Sequence, residues 1–268
     1  MVGTKVYVIS MAGSRERRRR FSRHAEDCGL EWQFFDAHTK LAPDLSYDEE
    51  VAIANHGRPL TAGELGCYSS HYGVWRNFLK TKDEKCVVLE DDVVVDWAGV
   101  QLVANVELTS FGIKYLRLYH KRPGRMQVLA SDFGRRSLHI VELFDKAYGT
   151  QGYIICRSAA EMFCGTFSDV VRPIDDQMDR YFDHGVRNLS VYPSLLFEES
   201  VRSEIGSSRF TQKAAVPAAL RQARLDKTAR NHAFLRYRAR AVLGKLTGRF
   251  ERAHGRLRTI TTFSDRGG

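Results

Sequence analysis

Along most of the chain short apolar runs alternate with polar, periodic stretches. Val6–Ser10 (VYVIS), β-branched and aromatic, predicts a buried first strand. Ser14 predicts a cap for a helix from Arg15 to Cys28, with Gly29 ending it. Trp32–Ala37 (WQFFDA) reads as a second strand, and strand, helix, strand favours a parallel α/β sheet. Residues 40–60 are polar and irregular. Thr61-Ala62-Gly63-Glu64 then forms a capping box, in which hydroxyl and carboxylate each satisfy an amide of the opening turn. The helix it opens carries Leu65, Tyr68, Tyr72, Trp75 and Leu79 on one stripe. Cys86–Leu89 (CVVL) is a strand of buried type that runs into Glu90-Asp91-Asp92.

Further on, Tyr115–Tyr119 and His139–Leu143 predict strands, with a loop over Arg122–Arg136. Gly149–Gly152 reads as a turn, Tyr153–Cys156 as a strand, and Ser158 as the cap of the next helix. Pro173-Ile174-Asp175 opens a helix reaching to Asp183, before Gly185. Val191–Phe197 is the last expected strand, and there is no internal repeat.

Charge changes the picture at one end. The net charge is +9, yet residues 213–268 hold 14 Lys or Arg against 3 Asp or Glu. The rest of the chain is therefore slightly acidic, and the expected organisation is a domain over 1–211 with a basic, helix-prone tail over 212–268. Between Ala218 and Phe250 arginines mix with Leu225, Phe234, Leu235, Tyr237, Val242, Leu246 and Phe250. That mixture suits an interfacial helix on an anionic membrane surface. Nucleic acid is not an expected partner, because no recognisable module accompanies the charge. No apolar run approaches the roughly 20 residues needed to span a bilayer. The first apolar run precedes its arginines, the reverse of a signal peptide. The expected location is cytoplasmic, peripheral on the inner membrane face. Five widely spaced cysteines without a C-x-x-C pair predict reduced thiols, and neither a disulfide framework nor a zinc site.

The acidic triplet is the strongest chemical signal. Three adjacent carboxylates repel one another, and the flanking Val87-Val88-Leu89 and Val93-Val94-Val95 argue against full exposure. In an extended chain Glu90 and Asp92 point to one face and Asp91 to the other. Glu90 and Asp92 can thus share a cation. An all-carboxylate set predicts a hard ion, Mg²⁺ or Mn²⁺, whose other positions go to water and phosphate. The triplet also stands where ligands bind in open α/β sheets, beyond the carboxyl end of a strand. Ser10 and Arg17 occupy the same edge, and Arg17 has paired donors for a phosphate. Arg18, Arg19 and Arg20 read as a solvated helix face. Arg117, set between Leu116 and Leu118, needs a partner, either the triplet or a donor phosphate.

Taken in order, VISMAGSRERRRRF, WQFFDA, LTAGELGCYSSHYGVW, VVLEDDVVV, YGTQGYII and RPIDD resemble glycosyltransferase family 25. That family comprises bacterial lipooligosaccharide galactosyltransferases and animal collagen-galactosyltransferase relatives. The resemblance covers about residues 5 to 207 and implies a GT-A-like nucleotide-binding fold with a mixed, mostly parallel sheet. It implies an inverting transfer of a hexose, typically galactose from UDP-galactose, to a glycan or lipid-linked glycan acceptor. By position, Glu90, Asp91 and Asp92 match the acidic motif, with Glu90 and Asp92 as metal ligands. Arg17 matches an arginine after the first strand; Glu64, Cys67, Ser70 and His71 match the Glu-x-Gly-Cys and Ser-His positions. Gly149, Thr150, Gly152 and Tyr153 match a Gly-Thr-x-Gly-Tyr motif. With Ser10 and Arg117 added from their place in the chain, the expected donor-binding set is Ser10, Arg17, Glu64, His71, Asp91, Arg117, Gly149, Thr150 and Gly152. Asp175 follows the family's proline and is the expected general base, with Asp176 as alternate. Cys67 reads as small and buried. Rival readings are a metal-dependent nucleotidyl- or phosphotransferase on sugar nucleotides, and a non-catalytic basic protein binding membrane or nucleic acid.

Overall fold

An eight-stranded sheet runs through the middle of the protein, in the order β2-β1-β4-β9-β6-β11-β8-β7. The strands are β1 (Lys5–Ser10), β2 (Trp32–Asp36), β4 (Lys85–Glu90), β6 (Tyr115–Arg117), β7 (Met126–Ala130), β8 (His139–Leu143), β9 (Gly152–Cys156) and β11 (Leu189–Tyr192). The structure is a computed structural model that describes residues 4–121 and 126–199. The basic tail over 212–268 lies outside the described residues. Strands β2, β1 and β4 are parallel, β9 reverses between β4 and β6, and β8 reverses between β11 and β7. Six of the eight therefore point one way. The α/β class and the mixed, mostly parallel sheet are as the sequence predicts.

Two apolar layers cover the sheet. On one face α1 (Arg15–His24) and α4 (Trp97–Ala104) pack over Val6, Val8, Val87 and Leu89. On the other, α3 (Ala62–Leu79) and α5 (Arg157–Thr166) pack over Tyr7, Val88 and Ile155. The alternation of Tyr7 with Val8, and of Val88 with Leu89, between the two layers is the period-two signature of a strand covered on both sides. The α3 capping box forms as predicted, and Tyr68, Tyr72 and Trp75 of its stripe are buried. Burial extends round the helix to Ser69, Ser70 and His71, because α3 is also pressed against the 38–42 segment. A β-carbon at Gly66 would meet the His38 carbonyl oxygen at 2.5 Å.

Several boundaries differ from expectation. Helix α1 stops at His24, four residues before Cys28, and the Ser14 side chain makes no capping bond. Residues 40–60 contain β3 (Ser46–Tyr47) and α2 (Glu49–His56). Asp48 caps α2 through the Val51 amide, and Gly57, at φ 98°, ends it. Part of the expected 122–136 loop is strand β7, paired to β8. Helix α5 begins at Arg157, not after Ser158, because the Arg157 guanidinium is spread over the carbonyls of Leu79, Thr81 and Asp83. The helix expected over 174–183 is two, α6 (Ile174–Met178) and α7 (Tyr181–His184), broken where Arg180 leaves helical backbone. The last strand is also split, since Pro193 offers no N–H for a ladder. Its second half, β12 (Leu196–Glu198), leaves the main sheet and pairs with β5 (Val93–Val95), directly after the acidic triplet. The two-residue strand β10 (Asp169–Val170) pairs with β3.

Candidate active site

A cavity of about 300 Å³ opens at the edge where β1, β4 and β6 end. That edge is the expected place for a ligand in such a sheet, and the volume is at the lower end for a small-molecule site. Glu90 and Asp92 line it, together with Glu64, Gly149, Thr150, Asp175 and Asp176. Ser10, Arg17, His71, Asp91, Arg117 and Gly152 do not line it; they hold the residues that do.

Glu90 and Asp92 line the cavity and Asp91 does not, although Asp91 and Asp92 form a turn after β4 and not the extended chain that was expected. Asp91 turns away and accepts the Ser10 hydroxyl at 2.6 Å. Arg17 reaches across both neighbours, 2.6 Å from Asp91 Oδ1 and 3.0 Å from Asp92 Oδ2. Arg18 is not solvated: it donates to the Ser10 carbonyl at 2.8 Å, to Asp36 at 2.5 Å, and lies over the Phe34 ring. Arg20 pairs with Glu199 at 3.1 Å, whereas Arg19 faces outward to Glu16. Of the run, Arg17 anchors α1 to the triplet, Arg18 and Arg20 tie it to the strand ends and to Glu199, and Arg19 stays exposed.

Glu90 accepts Thr150 Oγ1 at 2.5 Å and faces His71 Nε2 at 3.6 Å. Behind it, Tyr153 OH accepts the Trp75 indole N–H at 2.8 Å and sits 2.9 Å from His71 Nδ1. Burial works against the Glu90 charge, but His71, Thr150 and Arg17 outweigh it and hold the carboxyl below the usual range. Asp92 is the opposite case. Burial and the neighbouring Glu90 push its carboxyl up to about 7, with Arg17 opposing. Its Oδ1 is buried with no hydrogen-bond partner. A carboxylate that is desolvated, crowded by another and missing a donor is one that a cation would satisfy. Glu90 and Asp92 thus fit a hard divalent ion in donor chemistry, and Asp92 Oδ1 lacks the partner that such an ion would supply.

Opposite the triplet, α6 clamps a short loop. Tyr148 and Gly149 both have positive φ, 54° and 81°. Their amides donate to Asp179 at 2.8 Å and to Asp175 at 3.2 Å. Arg117 completes the clamp, donating to Asp179 at 2.7 Å, the Gly149 carbonyl at 2.6 Å and Asn188 at 2.9 Å. Its partner is therefore Asp179 and not the acidic triplet. Gly152 likewise serves packing, since a β-carbon there would collide with Leu196 and Leu89.

Asp175 is half-buried and lines the cavity, its oxygens accepting the Asp176 and Gly149 amides. Asp176 does not suit the alternate-base role. It is 2 % exposed, paired with Lys146 and 3.5 Å from both His56 and Arg172. Burial is outweighed by the hydrogen bond from His56 and by the Lys146 and Arg172 charges, and its carboxyl is driven far below the usual range. Glu64 is bidentate to Arg58, at 2.6 and 2.8 Å, while also closing the capping box at Thr61. Sequence reasoning missed His56, Arg58 and Lys121, which also line the cavity. The first two flank Gly57, the glycine that ends the unpredicted α2, and that stop signal was legible. Cys67 also lines the cavity, rather than being simply buried.

The acidic triplet and the facing Asp175 carboxylate thus meet around one cavity at the end of the parallel strands. Residues 3–178 match the family described as Glycosyltransferase family 25 (LPS biosynthesis protein). This chain belongs to that family. It is similar to procollagen galactosyltransferase 1 of Danio rerio, 25 % identical over 236 residues, covering 79 % of this chain and 39 % of the relative. It is also similar to the lacto-N-neotetraose biosynthesis glycosyltransferase LgtE of Neisseria gonorrhoeae, 27 % identical over 214 residues, covering 72 % and 73 %. The chain thus spans about two-fifths of the procollagen enzymes and most of the bacterial one. A solved structure, titled as a glycosyltransferase involved in glycosylation of the major capsid of PBCV-1, matches at TM-score 0.31 and 13 % identity, over 60 % and 63 % of the two chains.

Proposed function

We propose that this chain is an inverting, metal-dependent glycosyltransferase that moves a hexose, galactose from UDP-galactose, to a hydroxyl of a surface-glycan acceptor. The observation that carries the reading is the pairing of Glu90 and the under-satisfied Asp92 on one wall of the cavity, with Asp175 on another. Membership of the family and the likeness to LgtE support the sugar and the glycan acceptor.

Glu90 and Asp92 would hold Mg²⁺ or Mn²⁺, which supplies positive charge to the donor diphosphate and to the departing nucleotide. Arg17 keeps both Asp91 and Asp92 in place from behind. Thr150 fixes the Glu90 carboxylate and ties it to the Tyr148–Gly149 loop, while His71 Nε2 faces it at 3.6 Å. Asp175 takes the proton of the acceptor hydroxyl as its oxygen attacks the anomeric carbon and the bond to the diphosphate breaks. Each Asp175 oxygen accepts one amide and keeps a lone pair for that proton. A lipid-linked acceptor would give the basic tail a role, since binding an anionic inner-membrane face confines the enzyme to its substrate's plane.

Product analysis tests the reading. Incubation with UDP-galactose, Mn²⁺ and a lipooligosaccharide acceptor is expected to release UDP and add one hexose mass to the acceptor. Release of UMP with a sugar phosphate would instead establish the nucleotidyl- or phosphotransferase alternative.

A further inference from the structure

Cys67, His71 and Glu90 place one ligand atom each within 4.8 Å of the others at the floor of the cavity. Cys67 and His71 are four residues apart on α3, so their side chains lie one above the other on the same face. Glu90 arrives from the end of β4. His71 is 1 % exposed, and its Nε2 has no hydrogen-bond partner. The nearest carboxylate oxygen, Glu90 Oε1, stands at 3.6 Å, too far for a hydrogen bond. Bonds of about 2.0–2.3 Å at tetrahedral angles separate ligand atoms by roughly 3.3–3.5 Å, so the nitrogen and oxygen already stand close to that spacing.

We propose that these three side chains form a binding site for a thiophilic divalent cation, Zn²⁺, distinct in chemistry from the hard-ion pair of Glu90 and Asp92. Thiolate, imidazole and carboxylate are a borderline-to-soft set, which discriminates for zinc and against magnesium and manganese. Three protein ligands leave a fourth position facing the cavity, open to water or to a ligand there. Tyr153 supplies the outer support, since its oxygen can accept a hydrogen bond from Nδ1–H in the tautomer that frees the Nε2 lone pair. The charge closes as well: Zn²⁺ against one thiolate and one carboxylate is neutral, and the thiol proton leaves to solvent. Without the ion, burial and the nearby Glu90 and Asp175 keep Cys67 protonated. Cysteine spacing alone predicted no zinc site because two of the three ligands are not cysteines. Glu90 belongs to both ligand sets. Resting on the transferase reading, zinc bound here withdraws Glu90 from the donor's metal and opposes transfer.

Cobalt titration of the full chain, stripped with EDTA, tests the site without donor or acceptor, so its outcome is independent of the transferase reading. Co²⁺ is expected to give a thiolate-to-cobalt charge-transfer band that saturates at one equivalent and is displaced by Zn²⁺. Cys67→Ser should abolish the band and weaken Zn²⁺ binding by more than about tenfold, the least that losing even an outer partner costs. Cys164→Ser should keep it. On the wild-type chain, Zn²⁺ should protect Cys67 from alkylation, read by peptide mass mapping, and leave Cys164 reactive; this arm needs no variant to fold. A wild-type spectrum without the band, a band that survives in Cys67→Ser, or alkylation of Cys67 unaffected by Zn²⁺ would each overturn the proposal.

Discussion

Asp92→Asn is expected to make the metal-free protein more stable at alkaline pH while removing its cation site. Burial and Glu90 raise the Asp92 carboxyl from 3.8 to about 7. The folded chain therefore binds this proton more tightly than the unfolded chain. The group favours folding fully below its unfolded value, and that contribution is lost as pH rises through the folded one. A gap of about three pH units at about 1.36 kcal/mol each sets a ceiling of about 4 kcal/mol against folding above that range. That value already contains the opposing 3.0 Å ion pair with Arg17, and water reaching the partly exposed carboxyl lowers the cost further. The net gain for Asp92→Asn at about pH 8 is then about 1–2 kcal/mol. At about pH 5 the wild-type carboxyl is already protonated, and the two proteins should agree within about 0.5 kcal/mol. Urea unfolding in EDTA at both pH values measures this. A wild type as stable as Asp92→Asn at the higher pH would refute the claim that the acidic pair stands strained without a cation.

Two further outcomes follow from the clamp opposite the triplet. Asp179→Asn leaves the buried Arg117 charge uncompensated and should destabilise the fold by about 3–5 kcal/mol in denaturant unfolding. A loss under about 1 kcal/mol would mean the pair is not the clamp's centre. Asp175→Asn should keep UDP binding within about threefold while lowering kcat by about 100-fold or more, the usual worth of a positioned base. Unchanged kcat would remove Asp175 from the chemistry.

The sequence carried the sheet's left half and the site's acidic wall, because those rest on strong local signals. VYVIS, CVVL and YIIC are apolar runs of strand length, and the capping box at Thr61 fixes the start of α3 to the residue. The triplet's place at the end of β4 was legible, but Asp91 and Asp92 form a turn there, so the extended-chain alternation is not what separates them. What was lost depended on tertiary partners. The role of Arg117 is set by Asp179, 62 positions away, and no spacing rule connects them. The same holds for Arg18 on α1, whose partners Ser10 and Asp36 end two different strands. Asp176 looked equivalent to Asp175 in sequence, yet the helix turn between them sends one to the cavity and the other into Lys146, His56 and Arg172. The α2 helix is a different failure. Asp48, Glu49, Glu50 and Gly57 are ordinary start and stop signals, and the polar composition of the stretch masked them.

The central claim is that Glu90 and Asp92 hold a hard cation for a nucleotide diphosphate. Calorimetry of UDP binding, with Mn²⁺ and with EDTA, on wild type and on Asp92→Ala, tests it most directly. Binding that requires both Mn²⁺ and Asp92 is the expected result. Equal UDP affinity in EDTA and in the variant would contradict the claim.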